Sequence, residues 1–164
     1  MRARAFHTVV VGGLTAGVLD ILDAFAIAMF NGGSPIRVLQ AIASGIFGRA
    51  AYEGGMAAAS LGLALHFVIA FGAAATFYLA TRKAPILLRH PVPSGLTFGL
   101  AVWAVMYGVV LPITFRRMPT LAAWPQLTNQ LAIHMFGVGL PIALIASRSA
   151  GTNVESVPSR STYG

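Results

Sequence analysis

The sequence predicts an all-α integral membrane protein, a bundle of four transmembrane helices with an additional amphipathic helix at the interface. Hydrophobic residues make up 57% of the 164 residues and charged residues only 9%, whereas a soluble domain carries about 25% charged residues. Four apolar stretches are also long enough for the roughly 20 residues that a helix needs to cross a bilayer. They cover approximately residues 8–30, 57–79, 93–111 and 129–146.

The segment between the first two spans has the pattern of a short amphipathic helix over residues 35–49. Ser34 is a favourable N-cap, and Pro35 suits the first helical position. The apolar stripe of this helix consists of Ile36, Leu39, Ile42, Ala43, Ile46 and Phe47. The opposite stripe contains Arg37, Gln40 and Ser44. Because the helix is too short to span, we expect it to lie in the interface or to pack back against the bundle.

The chain is predicted to form one membrane domain, residues 1–146, followed by a disordered cytoplasmic tail, residues 147–164. The tail is predicted from its change to polar composition. An alternative interpretation of the N-terminus is a signal peptide cleaved near Ala26-Ile27-Ala28. The long apolar run and the two aspartates within it favour an uncleaved helix.

The basic residues indicate an orientation for the four spans. One side receives seven of them: Arg2, Arg4, Arg82, Lys83, Arg89, Arg148 and Arg160. The other side receives four: Arg37, Arg49, Arg116 and Arg117. Since positive residues are more frequent in cytoplasmic loops, we expect both termini to lie in the cytoplasm.

Composition and motifs also weigh against several function classes. The net charge is +7, but the basic residues lie at the ends of apolar runs, so we expect a lipid bilayer and no nucleic acid as partner. The absence of cysteine excludes disulfides, iron–sulfur clusters and thiolate zinc sites. The sequence contains no G-x-S-x-G, H-E-x-x-H or P-loop motif, and we therefore predict a protein that is not an enzyme.

Small residues predict where the spans pack against one another, because they let helix backbones approach closely in lipid. The glycines that we expect at helix contacts are Gly13, Gly17, Gly62, Gly95 and Gly99. Such contacts would form a compact bundle, and they leave a homo-oligomer open. In the fourth span, Pro141 predicts a kink. The alternative is a broken helix that lines a binding site, as in transporters.

Four ionisable residues lie within the spans: Asp20, Asp23, His66 and His134. With a rise of about 1.5 Å per residue, all four fall in a slab about 5 Å deep, just outside the midplane. Asp20 and Asp23 are three residues apart and share a helix face. Because a charge in the bilayer is costly, we expect these side chains to meet inside the bundle. Tyr107, one helical turn after Trp103, is a further candidate contributor.

Several roles for this polar cluster remain open at the level of sequence. The acids and imidazoles could pair and hold the helices together, or form a proton or cation pathway, because imidazole titrates near neutral pH. Together they could bind a divalent cation. The two histidines could instead ligate haem. We predict no bound cofactor, with haem and a divalent cation as the alternatives.

Three segments of the chain resemble the YagU-like bacterial inner-membrane proteins. "LALHFVIAFGAAATFYLA", which begins at Leu63, is similar to the second helix of that group, and "QLAIHMFGVGLPIAL", which begins at Gln130, to its late helix with an early histidine. "GGLTAG" in the first span is similar as well. The likeness covers roughly residues 8–146, and the two aspartates are not part of the pattern. The resemblance implies a small four-helix protein of a bacterial inner membrane, of unassigned biochemistry.

Three function hypotheses follow from these observations. The first is a non-enzymatic membrane protein with a structural or stress-related role, whose Asp/His cluster pairs internally. The second is a proton- or cation-conducting transporter or channel that uses this cluster. The third is a haem-binding membrane redox protein.

Overall fold

A computed structural model describes residues 5–112 and 124–151, and this part of the chain is helical without any β-strand. Four of its helices are long and apolar enough to span a membrane, which confirms the predicted all-α class and a long apolar helix at each of the four predicted spans. They are α1 (His7–Phe30), α3 (Gly55–Lys83), α5 (Pro91–Val110) and α6, which runs continuously over residues 124–151. Between them lie α2 (Pro35–Phe47), a 3₁₀ turn (Gly48–Tyr52) and the short α4 (Ile86–Arg89).

The ends of two helices differ from the predicted spans. The last turn of α3 contains Arg82 and Lys83, because basic side chains near a helix C-terminus interact favourably with its dipole. The α6 helix begins at Trp124, where Pro125 is compatible with a first turn. It continues to Gly151, so residues 147–151 belong to α6 and not to the tail predicted from residue 147. Residues 152–164, the rest of that tail, lie outside the described residues.

The four long helices pack antiparallel, with glycines at the closest approaches. On α1, a Cβ at Gly13 would come within 2.5 Å of the Phe71 ring of α3, and one at Gly17 within 2.7 Å of the Phe67 ring. On α5, Gly95 and Gly99 lie against the α6 backbone near Leu140 and His134 respectively. A buried cluster between these pairs includes Ala16, Ala74, Phe77, Val138 and Ile142. All five glycines proposed from the sequence therefore lie where a side chain would collide, Gly62 meeting the Leu39 backbone of α2.

The α2 helix packs back along α3 and turns its polar stripe toward the protein. Its N-cap forms as expected, since the Ser34 hydroxyl accepts the Arg37 amide N–H at 3.4 Å. Gln40 is buried and donates to the Gly55 carbonyl at 3.1 Å. Ile46 and Phe47 are 63% and 54% exposed. The apolar stripe is thus partly turned outward, which suits a helix beside lipid, whereas the buried Gln40 amide satisfies one backbone carbonyl of the α2–α3 corner.

The hydrogen-bond ladder of α6 changes in its middle, over Ile133–Gly139, to the wider π-helical form. There the Leu140 N–H donates to the Met135 carbonyl, five residues earlier. Pro141 follows immediately and has no N–H with which to continue the α-helical ladder. The predicted irregularity at Pro141 therefore takes the form of a π-helical segment, a feature frequent at functional sites. This segment contains His134.

Candidate functional site

A cavity of about 550 Å³ lies between five helices of the bundle and is partly open to its surroundings, since Ile46 in its lining is 63% exposed. Most of the lining is aliphatic and comes from α1, α2, α3, α5 and α6. Five polar side chains also reach it: Asp20, His66, Tyr107, Gln130 and His134. A mainly apolar cavity with a few convergent polar groups is the usual form of a small-molecule site. This cavity is therefore the candidate functional site.

The distances from the helix ends explain why Asp20, His66 and His134 lie at the same depth in the bundle. Asp20 lies ten residues before the end of α1 at Phe30, and His66 lies eleven residues after the start of α3 at Gly55. His134 lies ten residues after the start of α6 at Trp124. At about 1.5 Å per residue, all three are about 15 Å from the same end of the bundle. The antiparallel packing then brings them to one depth.

Asp20 and His66 form the central contact of the cavity. The His66 Nδ1 lies 4.0 Å from the Asp20 Oδ2, and the two side chains are 12% and 25% exposed respectively. The His66 Nε2 lies 2.8 Å from the Gly17 carbonyl oxygen. Because a carbonyl only accepts hydrogen bonds, Nε2 carries a proton and donates it. The imidazole is thereby held with Nδ1 toward the carboxylate.

This geometry favours one further proton on the Asp20–His66 pair. A neutral Nδ1 would present its lone pair to an ionised carboxylate, and the two would repel. A proton on either group removes the repulsion, giving an imidazolium–carboxylate pair or a neutral acid beside a neutral imidazole. The pair is then electrically neutral inside an apolar cavity, where an unpaired charge is costly. Chemically, the arrangement is a carboxylate and an imidazole that could share one proton.

His134 approaches Asp20 from the opposite helix. Its side chain is buried, and Nδ1 donates to the Gln130 carbonyl of its own helix at 2.7 Å. The remaining nitrogen, Nε2, has no hydrogen-bond partner among the described residues. Asp20 is also within electrostatic range of both histidines and of Asp23. His134 is therefore a second imidazole at the same cavity, without a direct ion pair.

Asp23, which the sequence analysis placed in the same cluster, has a different partner. Its Oδ2 accepts a hydrogen bond from the Asn129 Nδ2 at 2.8 Å, and Asp23 does not line the cavity. Asn129 is near the start of α6. It lies more than one helical turn before His134 in the same helix. The Asp23–Asn129 bond joins α1 to α6 beside the cavity.

Tyr107 lines the cavity, and the Trp103 ring stacks on the Tyr107 ring. Their rings stack with centroids 5.5 Å apart and an interplanar angle of 23°. The Trp103 indole Nε1 is buried without a hydrogen-bond partner in the described part of the chain. Trp103 does not itself line the cavity. Of the two aromatic residues suggested by the sequence, Tyr107 is the one that presents a polar group to the site.

The side chains available as ligands can be compared with what a metal ion or a haem would require. Within residues 5–112 and 124–151, no group of three or more His, Cys, Asp or Glu side chains is arranged to hold a metal ion. Bis-histidine haem ligation needs one free nitrogen from each imidazole. His134 offers Nε2, but the free nitrogen of His66 is directed at Asp20.

Two contributors to the site were not identified from the sequence. Asn129 and Gln130 are the first two residues of the fourth predicted span, and neither is among the site residues predicted from the sequence. The amphipathic pattern of α2 also gave no indication that its Val38, Ala41 and Ile42 form a wall of the cavity. An earlier helix start at Pro125, a favourable first-turn residue, would have placed both amides about one turn deeper in the span.

Comparisons with protein-family models, curated proteins and solved structures each find no match to this chain. The resemblance of its second and last spans to the YagU-like proteins therefore stays a prediction. The geometry of the cavity is what bears on function.

Proposed function

We propose that this protein is a small multi-pass membrane protein of the proton- or cation-transport class, in which Asp20 and His66 form the proton-exchange site. One observation carries the proposal: the 4.0 Å contact between the Asp20 carboxylate and the His66 Nδ1 inside a cavity that five helices line. Ionisable residues inside a membrane typically mark proton relays or substrate pathways. We further propose that both termini lie in the cytoplasm of a bacterium and that the bundle is in its inner membrane.

The surroundings of the two aspartates support exchange at Asp20 and not at Asp23. Asp20 faces the cavity with a quarter of its side chain accessible. Asp23 is engaged by a direct hydrogen bond to an amide and does not line the cavity. A proton can reach the first carboxylate through the cavity, whereas the second is part of a helix contact. The same helix carries one acid for each role.

A purely structural role for the cluster is the second candidate function. Several contacts between spans are suited to hold the bundle together, notably the Asp23–Asn129 bond and the glycine contacts. In that account, Asp20 and His66 would serve only as a further contact between α1 and α3. The two candidates differ in whether neutralising Asp20 affects proton movement or stability alone.

Proton flux into reconstituted vesicles tests the proposal. The protein is incorporated in liposomes that contain a pH-sensitive dye, and an imposed pH gradient is followed for the wild type, Asp20→Asn and Asp23→Asn. We expect flux with the wild type and with Asp23→Asn. Asp20→Asn should reduce it to the level of protein-free vesicles, because an amide has nearly the same shape but carries no titratable proton.

Two outcomes would count against proton exchange. Equal flux for Asp20→Asn and the wild type would remove Asp20 from the pathway. No flux from wild-type protein that is correctly folded would favour the structural role. An absorption spectrum of the same preparation tests the haem hypothesis. That hypothesis requires a Soret band in the wild type that disappears in His66→Gln.

A further inference from the structure

The cavity around Asp20 is much larger than a proton or a bare metal ion requires. Its volume of about 550 Å³ falls within the range of roughly 300–1,000 Å³ that holds organic ligands. The walls are mainly aliphatic side chains of α1, α2, α3 and α5, and Tyr107 adds an aromatic ring. Such a surface favours an organic molecule with a bulky apolar body.

The charged groups at the cavity indicate whether that molecule is a cation or an anion. Among the described residues, Asp20 is the one acid in the lining, and no Lys or Arg reaches it. The other titratable groups facing Asp20 are His66 on α3, His134 on α6 and Tyr107 on α5, while Asp23 lies nearby on α1. When both imidazoles are neutral, the cavity holds one uncompensated negative charge. An organic cation would compensate it.

Such a cation would compete with the proton of the Asp20–His66 pair. With the proton present the pair is neutral, so a cation beside it would lose its hydration without a net negative charge to compensate it. Once the proton leaves, the carboxylate can receive the cation, and the Tyr107 ring can add a cation–π contact. One proton would be released for each cation bound, so the charge of the cavity is the same in both states.

We propose that the cavity binds an amphiphilic organic cation, which exchanges with the proton held by Asp20 and His66. This inference rests on the proposed proton-exchange function and adds a substrate class to it. Proton and cation occupy the same carboxylate in turn, so a protein of this kind can couple the inward movement of one to the outward movement of the other.

Tetraphenylphosphonium and tetraphenylborate form a matched pair of probes, since they have nearly the same size and shape and opposite charge. Binding of each to the detergent-purified Trp124→Phe protein is measured by calorimetry and by the fluorescence of Trp103, which is then the sole tryptophan and stacks on a cavity residue. We expect the cation to bind, with release of one proton into weakly buffered solution. In the pH range where the proton occupies the pair, the affinity for the cation should fall about tenfold for each unit by which the pH is lowered.

Variants locate this binding at the carboxylate. Asp20→Asn should weaken cation binding by about 30-fold or more and abolish proton release, because removing one member of a buried charge contact costs 2–5 kcal/mol. Asp23→Asn is the control and should bind as the wild type does. Circular dichroism and gel filtration establish that each variant is folded.

The outcomes separate this inference from the function on which it rests. Equal binding of tetraphenylborate, or wild-type affinity of Asp20→Asn for the cation, would overturn the organic-cation site. If the cation does not bind while proton flux still depends on Asp20, the cation inference fails and proton exchange stands. If Asp20-dependent flux is absent as well, both fail.

Discussion

Asp20 and Asp23 show how far residue-level reasoning reaches. Their spacing places both on one face of α1, and the depth estimate correctly put Asp20 beside His66. The same estimate put Asp23 level with His134, whereas the structure pairs Asp23 with Asn129. Asn129 lies five residues after the start of α6 at Trp124, which is close enough in depth to Asp23 for a direct hydrogen bond. Helical spacing fixes a face, but the partner depends on where the neighbouring helix begins.

The Asp23–Asn129 contact predicts a measurable coupling between two helices. Asp23→Ala, Asn129→Ala and the double variant form a cycle in which unfolding in mixed micelles is followed by circular dichroism. We expect a coupling of about 0.6–1.7 kcal/mol, the range typical of hydrogen bonds between membrane helices. Strictly additive losses would show that the bond contributes nothing beyond the two separate side chains.

Gly17 allows α1 to pack closely against α3, and its carbonyl holds His66. A Gly17→Ala substitution tests both roles. An added Cβ would lie 2.7 Å from the Phe67 ring and 3.1 Å from the Ala70 Cβ, so we expect Gly17→Ala to destabilise the protein by about 1–3 kcal/mol. It should also reduce proton flux, since the Gly17 carbonyl holds His66. Gly72→Ala is the matched control, because a Cβ there meets nothing within 4 Å. Equal stability of the two variants would contradict this packing.

At the level of elements, hydrophobicity predicted the four spans because each is a long apolar run with its own turn signals. It did not predict their ends, since Arg82, Lys83 and residues 147–151 continue helices despite being polar. It also did not predict that α2 would line the cavity, because an amphipathic pattern shows two faces without showing which neighbour each one meets. Periodicity describes a helix, and tertiary packing decides its position.

The π-helical segment of α6 offers a test at this scale. Pro141→Ala restores an N–H that can reach the Gly137 carbonyl, so we expect Ile133–Gly139 to move toward α-helical geometry. Amide hydrogen exchange in that segment should slow by about tenfold or more. Pro93→Ala in the first turn of α5 is the control, because the N–H groups of a first turn have no intrahelical acceptor. Unchanged exchange in Pro141→Ala would mean that the proline does not cause the irregularity.

At the scale of the whole molecule, the antiparallel order places the basic helix ends together. Arg82, Lys83, Arg89 and Arg148 all lie in last turns at one end of the bundle. Arg37 and Arg49 lie at the other end, next to the α2–α3 corner. The orientation proposed from the positive-inside rule rests on this distribution.

The lack of cysteine in the sequence makes this orientation easy to measure. Single cysteines are introduced at Glu53 and His90, two exposed positions at opposite ends, and intact cells are treated with a membrane-impermeant maleimide. We expect labelling of Glu53→Cys in intact cells and of His90→Cys only after the membrane is opened. The reverse pattern would invert the proposed topology, and labelling of both in intact cells would contradict a four-span protein.

The central claim is that Asp20 and His66 face each other inside the bundle, and solid-state NMR in lipid can measure this contact directly. In Asp23→Asn protein, Asp20 is the sole aspartate of the chain, so ¹³C-aspartate and ¹⁵N-histidine labels report one carboxyl group against the imidazoles. The 4.0 Å contact predicts dipolar transfer between the Asp20 carboxyl carbon and a histidine Nδ1. That signal should disappear in His66→Gln and persist in His90→Gln. Absence of the transfer, or its persistence in His66→Gln, would contradict the contact.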